Sequence, residues 1–270
     1  MSEGHSPAAG SARPDTTVAH NARVWNHWIG GTDHYPVDRR VGERIAGMFP
    51  VIRAVARADR EFLGRAVRFL AAERGIRQFL DLGSGLPTAE NTHQIAQRIA
   101  PASRIVYADN DPTVLAHARS LLTSSPEGVT DYLDADVRDP DDVLRRAAAT
   151  LDLSRPVAVL LLGVLNFVPD TGAAREIVRR LLAAVPAGSH LVLTHPTYDA
   201  DVGGAGNVAA MEFWNAHAAP PITARGRAEI AAFLDGLELV EPGLVPCSQW
   251  RAESASAAPV PQFGAVAGKP

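Results

Sequence analysis

The chain has a single cysteine, Cys247, and a single lysine, Lys269. One thiol can neither close an intrachain disulfide nor build a cysteine-based zinc site. With lysine almost absent and alanine abundant, the many arginines read as codon bias of a GC-rich genome, not as arginine recognition chemistry. Excess positive charge is missing as well: the formal net charge is −4, which argues against a basic nucleic-acid-binding face. No apolar run approaches the ~18 residues of a membrane span. The first twenty residues lack the apolar centre of a secretory signal. "MSEGHSPAAGSARPDTT" is small, polar and proline-containing, so residues 1–20 are expected to be a disordered tail and the compartment is expected to be the cytoplasm. Aromatic residues make up only 6% of the chain, yet two of the four tryptophans, Trp25 and Trp28, fall in one short stretch.

At 270 residues with 46% hydrophobic content the chain suits one large domain with a sizeable core. Helical spacing of apolar residues predicts a helix from about Asp38 to Phe49 and another from about Ile52 to Arg74, closed by Gly75. Beyond Gly75, short apolar runs at 76–83, 104–109, 129–136, 156–168 and 188–197 alternate with helical patterns. Thr88 is the expected N-cap of the first of these helices, and Asp111 with Pro112 opens the second. Strands apolar on both faces and separated by helices predict an α/β doubly wound, Rossmann-like parallel sheet covered on each side. "LELVEPGLVPCSQW" and "PQFGAVAGKP" add two strands whose short connection forces an antiparallel return. The expected organisation is a helical cap over residues 21–75 and a seven-stranded core over 76–270.

"FLDLGSGLPT", residues 79–88, is an apolar strand that stops at an acid and turns through two glycines. In such a sheet ligands sit beyond the carboxyl ends of the strands, where strand order reverses. The pattern is G-x-G-x-x-T, with Thr88 in place of the third glycine of the dinucleotide fingerprint and Pro87 before it. Asp81 precedes the turn, Asp109 ends the second strand and Asp136 ends the third. A carboxylate at Asp109 can accept both hydroxyls of a ribose. One at Asp136 can accept from an exocyclic amine, with the backbone of Val137 beside a ring nitrogen. Three acids at successive strand ends suit a nucleoside bearing a charged amino-acid tail, and S-adenosylmethionine is such a ligand.

These segments resemble the class I S-adenosylmethionine-dependent methyltransferases. More narrowly, "ARVWNHWIGGTDHYPVDR", "FLDLGSGLPTAENTH", "VYADNDPTVLAHAR" and "GLELVEPGLVP" resemble an actinobacterial family of S-adenosyl methyltransferases, over nearly the whole chain from about Ala22. The resemblance implies a sheet with an antiparallel last strand and S-adenosyl-L-methionine as cofactor. It implies cofactor contacts at Asp81, Gly83, Ser84 and Gly85, at Asp109 and Asn110 near the ribose, and at Asp136 and Val137 around adenine. The chain carries Asn166 where that family commonly has His, and Asp59 where Asn is common.

Methyl transfer from a sulfonium needs mainly a positioned nucleophile and the exclusion of water; a base is needed only when the nucleophile must lose a proton. His34, Tyr35, Asn166, His195 and Tyr198 are the candidates for that chemistry. His195 is the expected base, because it lies at the carboxyl end of an apolar strand. Trp28, Tyr35, Asn166 and Tyr198 are the expected lining of a substrate pocket. Arg57 or Arg60 would neutralise the cofactor's carboxylate, and Arg60 is taken as the one that does. The Trp25–Trp28 segment is read both as a helix packed on the core and as a lid hinged at Gly30–Gly31. The expected partner is a small-molecule methyl acceptor, with no nucleic acid, membrane or metal; a homodimer is left open. Two rival readings remain: an NAD(P)-dependent oxidoreductase, opposed by the missing third glycine, and an S-adenosylmethionine-binding sensor without transferase activity.

Overall fold

The computed structural model describes residues 15–87, 90–121, 123–254 and 257–270. A short strand β1 (Ala19–His20) leads into α1 (Asn21–Trp28), α2 (Pro36–Met48) and the long α3 (Ile52–Ala72). Strands and helices then alternate: β2 (Gln78–Leu82), α4 (Thr92–Ile99), β3 (Arg104–Asp109), α5 (Pro112–Leu121), β4 (Val129–Asp134), α6 (Pro140–Ala147), β5 (Ala158–Leu162), α7 (Thr171–Ala183) and β6 (His190–Pro196). The last part holds α8 (Ala205–His217), β7 (Ala218–Ala219), α9 (Arg227–Ala231), β8 (Glu238–Leu239), β9 (Val245–Pro246) and β10 (Gln262–Gly268).

The main sheet runs β4-β3-β2-β5-β6-β10-β8, with β9 also on β10. Its first five strands are parallel, whereas β10 is antiparallel to both β6 and β8. Strand order reverses between β2 and β5, which is the place where a doubly wound sheet binds ligands. The parity of the strands divides the core. Phe79 and Val192 join the side chains of α1–α3 on one face, and Leu80, Leu82, Leu191 and Leu193 join α6, α7 and α9 on the other.

Several boundaries differ from the sequence expectations for local reasons. The apolar run 156–168 is strand only as far as Leu162. Gly163, at φ +59, turns the chain into a short 3-10 helix, Leu165–Phe167. The helix after β2 starts at Asn91, not Thr88: the Asn91 backbone N–H donates to Gln94 Oε1 at 2.8 Å, as in a capping box. Thr88 lies outside the described residues. "GNVAAMEFWNAH" is helical in α8.

The N-terminal strap has its own sheet. Ala19–His20 pairs in parallel with Ala218–Ala219. Asp38, fully buried, accepts from the backbone of His20 (3.0 Å), from Arg23 Nε (2.9 Å) and from the backbone of Tyr35 (2.8 Å). One carboxylate thus fastens strap, α1 and α2 together.

Candidate active site

The turn after β2 bends through Gly83 at φ +67 and Gly85 at φ +65, a region that side chains other than glycine seldom occupy. At Gly83 space is also lacking, because a Cβ there would lie 2.5 Å from Val164 Cγ2. The Gly83 N–H donates to Ala108 O at 2.8 Å, so the turn is stitched to the end of β3. The Gly85 N–H donates to Asp109 Oδ2 and the Asp111 N–H to Oδ1, both at 2.9 Å. Asp109 is thereby fixed between the turn and the start of α5.

On one side of this turn lies a hollow lined by Gly83, Gly85, Asp109, Asn110, Asp136 and Val137. His20 and Pro220 border it from the strap and from the segment after β7. The His20 ring lies 2.8 Å from Asp111 Oδ2. Burial pushes the Asp109 carboxyl up to about 6, against two backbone N–H donors that favour its charge. Asp136 is the opposite case. Arg138 grips both of its oxygens and Asn110 Nδ2 donates to one at 2.9 Å, holding the carboxyl down to about 2. An exocyclic amine reaching Asp136 must share it with these donors.

On the other side lies an apolar cleft that shares Gly83, Gly85, Gly163, Phe167, Asn21 and Ala22 with the first hollow. Asp81, Ser84, Arg60, Trp28 and Asn166 line it. Asp81 accepts from Thr92 Oγ1 at 2.6 Å, and burial pushes its carboxyl up to about 6. Arg60, the charge nearest in effect to Asp81, donates to Glu90 O and Asn91 Oδ1, both at 3.0 Å. Arg57, on the same helix, is exposed.

Four candidate site residues, His195, Tyr198, Tyr35 and His34, are displaced. His195 is not placed to act as a base: it is fully buried, with Nδ1 2.8 Å from Pro196 O and Nε2 2.8 Å from Arg225 Nη1. Arg225, a permanent donor, takes the Nε2 lone pair, and burial drives the ring down to about 3. The reason is parity: Pro196 lines the cleft and Thr194 meets Gln262 on that same side of β6, whereas His195 faces the 3-10 turn after α9, against Phe233. Tyr198 is 45% exposed and its hydroxyl donates to Glu229, so it leaves the cleft. Tyr35 precedes α2 with its ring under the Arg23 guanidinium, and it too stands outside the cleft. His34 packs edge-on against His27 instead of facing either hollow.

The cleft also contains residues that local sequence patterns did not single out as a site. Ile52, Val55, Asp59 and Leu63 form one stripe of α3 beside the expected Arg60, and Asn207, Ala210, Met211 and Trp214 form a stripe of α8. Their helical spacing was the available signal, though it reads equally as core packing. Among the described residues no group of three or more His, Cys, Asp or Glu could hold a metal ion, and no helix is long and apolar enough to cross a membrane.

Comparison with known proteins agrees with this geometry. Residues 7–270 match the model of a family described as S-adenosyl methyltransferase. The crystal structure of a DUF574 family protein from Streptomyces avermitilis is similar with a TM-score of 0.90 and 42% identity, covering 96% of this chain and 100% of that one. A candidate methyltransferase from Thermobifida fusca is similar with a TM-score of 0.85 and 34% identity, covering 94% of this chain and 96% of that one. No curated protein sequence gave a match.

Proposed function

The chain belongs to the S-adenosyl methyltransferase family, and from that premise we propose that it moves the methyl group of S-adenosyl-L-methionine onto a small molecule in the cytoplasm. The observation that carries this reading is the continuity of the two hollows across Gly83–Gly85, one bordered by strand-end acids and the other by apolar side chains. The protein's own groups fit the cofactor. Asp109 is half-buried on the wall of the hollow, held by two backbone N–H donors, as suits an acceptor of two ribose hydroxyls. Val137 and Asn110 border the same hollow, where adenine would lie. Asp81 and Arg60 are a carboxylate and a guanidinium in the neighbouring cleft, opposite in sign to an α-ammonium and an α-carboxylate. At Gly85 nothing lies within 4 Å of where a Cβ would stand, so the turn's backbone is open to close approach there.

The bound cofactor supplies a methyl carbon already activated by a positive sulfur. The chain's part is then to hold the acceptor in line and exclude water. Trp28 closes the cleft from α1, its indole Nε1 donating to Gly42 O at 3.1 Å, which fixes the ring as a wall. In this reading residues 21–75 act as the lid over the core.

Calorimetric titration with S-adenosylhomocysteine, with NADH as control, tests the proposal. Micromolar binding of the adenosyl ligand alone is the expected result. Binding of NADH, or of neither, overturns it.

A further inference from the structure

Asp59 lines the cleft from α3 and is 8% exposed. Its hydrogen-bond partners are neutral: Gln262 Nε2 donates to Oδ1 at 2.5 Å, and Thr194 is the second. The neighbouring Arg60 points its guanidinium to Glu90 O and Asn91 Oδ1 instead. A buried carboxylate with no cation gripping it is costly, and it needs a proton donor or a positive charge from a ligand. Burial has already pushed its carboxyl above the usual range. The rest of the cleft wall is mainly apolar, and five aromatic rings, those of Trp25, Trp28, Phe49, Phe167 and Trp214, stand among its aliphatic side chains. A second group also lacks a partner. Asn166 Oδ1 is buried and unpaired among the described residues, and Asn166 borders the same cleft.

Charge balance selects the acceptor, given the cofactor reading above, on which this inference rests. Asp81 and Arg60 match the ammonium and carboxylate of the cofactor's amino-acid tail. That leaves the sulfonium positive and Asp59 negative in a cleft poor in water. A neutral acceptor keeps this pair balanced, whereas a cationic or anionic one leaves an uncompensated charge. We propose that Asp59 is the base of the reaction and that the acceptor is a neutral, flat, mainly aromatic molecule whose hydroxyl docks on Asp59. The acceptor oxygen bonds to the methyl carbon as the carbon–sulfur bond breaks, its electron pair going to sulfur. The hydroxyl proton passes to the Asp59 carboxylate. Sulfonium and carboxylate are discharged together, so the buried site is neutral before and after transfer. Asn166 Oδ1 accepts from a second donor on the acceptor or from the cofactor.

The test is titration of the S-adenosylhomocysteine-loaded protein with three probes of similar size: 2-naphthol, 2-naphthoate and tryptamine. The expected result is that 2-naphthol binds more tightly than the anion and the cation. Asp59→Asn should weaken 2-naphthol at least tenfold while leaving S-adenosylhomocysteine affinity and the melting temperature unchanged. With S-adenosylmethionine, 2-methoxynaphthalene should form in the wild type and not in the variant. If S-adenosylhomocysteine binds but 2-naphthol does not, if tryptamine or 2-naphthoate binds better, or if Asp59→Asn leaves 2-naphthol binding unchanged, this inference is overturned alone. If S-adenosylhomocysteine does not bind, the cofactor reading fails and this inference fails with it. A destabilised Asp59→Asn protein is replaced by Gln262→Ala, which removes the donor holding Asp59 and should likewise weaken 2-naphthol but not S-adenosylhomocysteine.

Discussion

The hollow beside Asp109 takes its polar groups from consecutive strand ends, and each stands next to a glycine, an aspartate or a turn. The cleft beside Asp59 is assembled from α1, α3, α8, the 3-10 turn after β5 and the start of β10. The first is the more polar of the two and stands on strand ends tied together by backbone N–H donors. The second is apolar and built on side chains from segments up to about two hundred residues apart, as in the Asp59–Gln262 bond. The contrast teaches where each specificity resides. On the function proposed above, a cofactor of fixed structure is met at the strand ends, and an acceptor is met by side chains that can change without disturbing the sheet.

The sharpest way to break this comparison is at the turn both hollows share. Gly83→Ala places a methyl group 2.5 Å from Val164 Cγ2 at φ +67, a strain of about 1–3 kcal/mol before the clash is counted. Loss of S-adenosylhomocysteine binding is the expected outcome by calorimetry. A folded variant with unchanged affinity would move the cofactor away from the turn. Next in size is Asp109→Ala, expected to cost about 1.5–3 kcal/mol of cofactor affinity, the range for a charged hydrogen-bond partner. Unchanged affinity there would misplace the ribose.

Acidity offers a milder perturbation. Asp109 and Asp81 both have carboxyls pushed up to about 6 by burial. The ionised forms accept from the ligand, so affinity is held above about pH 6 and declines as pH falls through that value, by at most about tenfold per unit for each group. Titrations from pH 5 to 8 check this; a flat profile would mean that neither carboxylate meets the ligand. His195→Phe is expected to leave cofactor affinity unchanged and to lower stability by about 1–3 kcal/mol, since Arg225 loses a buried acceptor. A change in the pH–rate profile with stability intact would restore His195 as a base. Smallest of all for the cofactor is Trp25→Ala: S-adenosylhomocysteine binding should not change, while 2-naphthol binding weakens.

The same contrast explains what was legible in the sequence. Alternating apolar runs and helical patterns specified the parallel sheet, and the antiparallel last strand was legible too, although the connection from β9 to β10, residues 247–261, is longer than expected. Gly83, Gly85, Asp109, Asn110, Asp136 and Val137 came together because each follows its strand directly, so local order determines spatial order. His195 misled because position at a strand end says nothing about the face, and only the pairing of β6 with β5 and β10 decides which side its ring takes. Tyr35 and Tyr198 misled because proximity in sequence to the site does not orient a ring. Asp59 was visible as an acid within an apolar helical pattern. Its partner Gln262 lies far down the chain, and no local pattern connects them.

One consequence of the two-residue ladder between Ala19–His20 and Ala218–Ala219 is temporal. Those few rungs hold a strap whose neighbours Asn21 and Ala22 touch both hollows. A ladder so short is marginal by itself, and the bonds from the His20 N–H and Arg23 Nε to Asp38 support it. On the function proposed above, a ligand entering or leaving either hollow passes this strap, so the residence time of the spent cofactor is the quantity that a longer or shorter ladder should change.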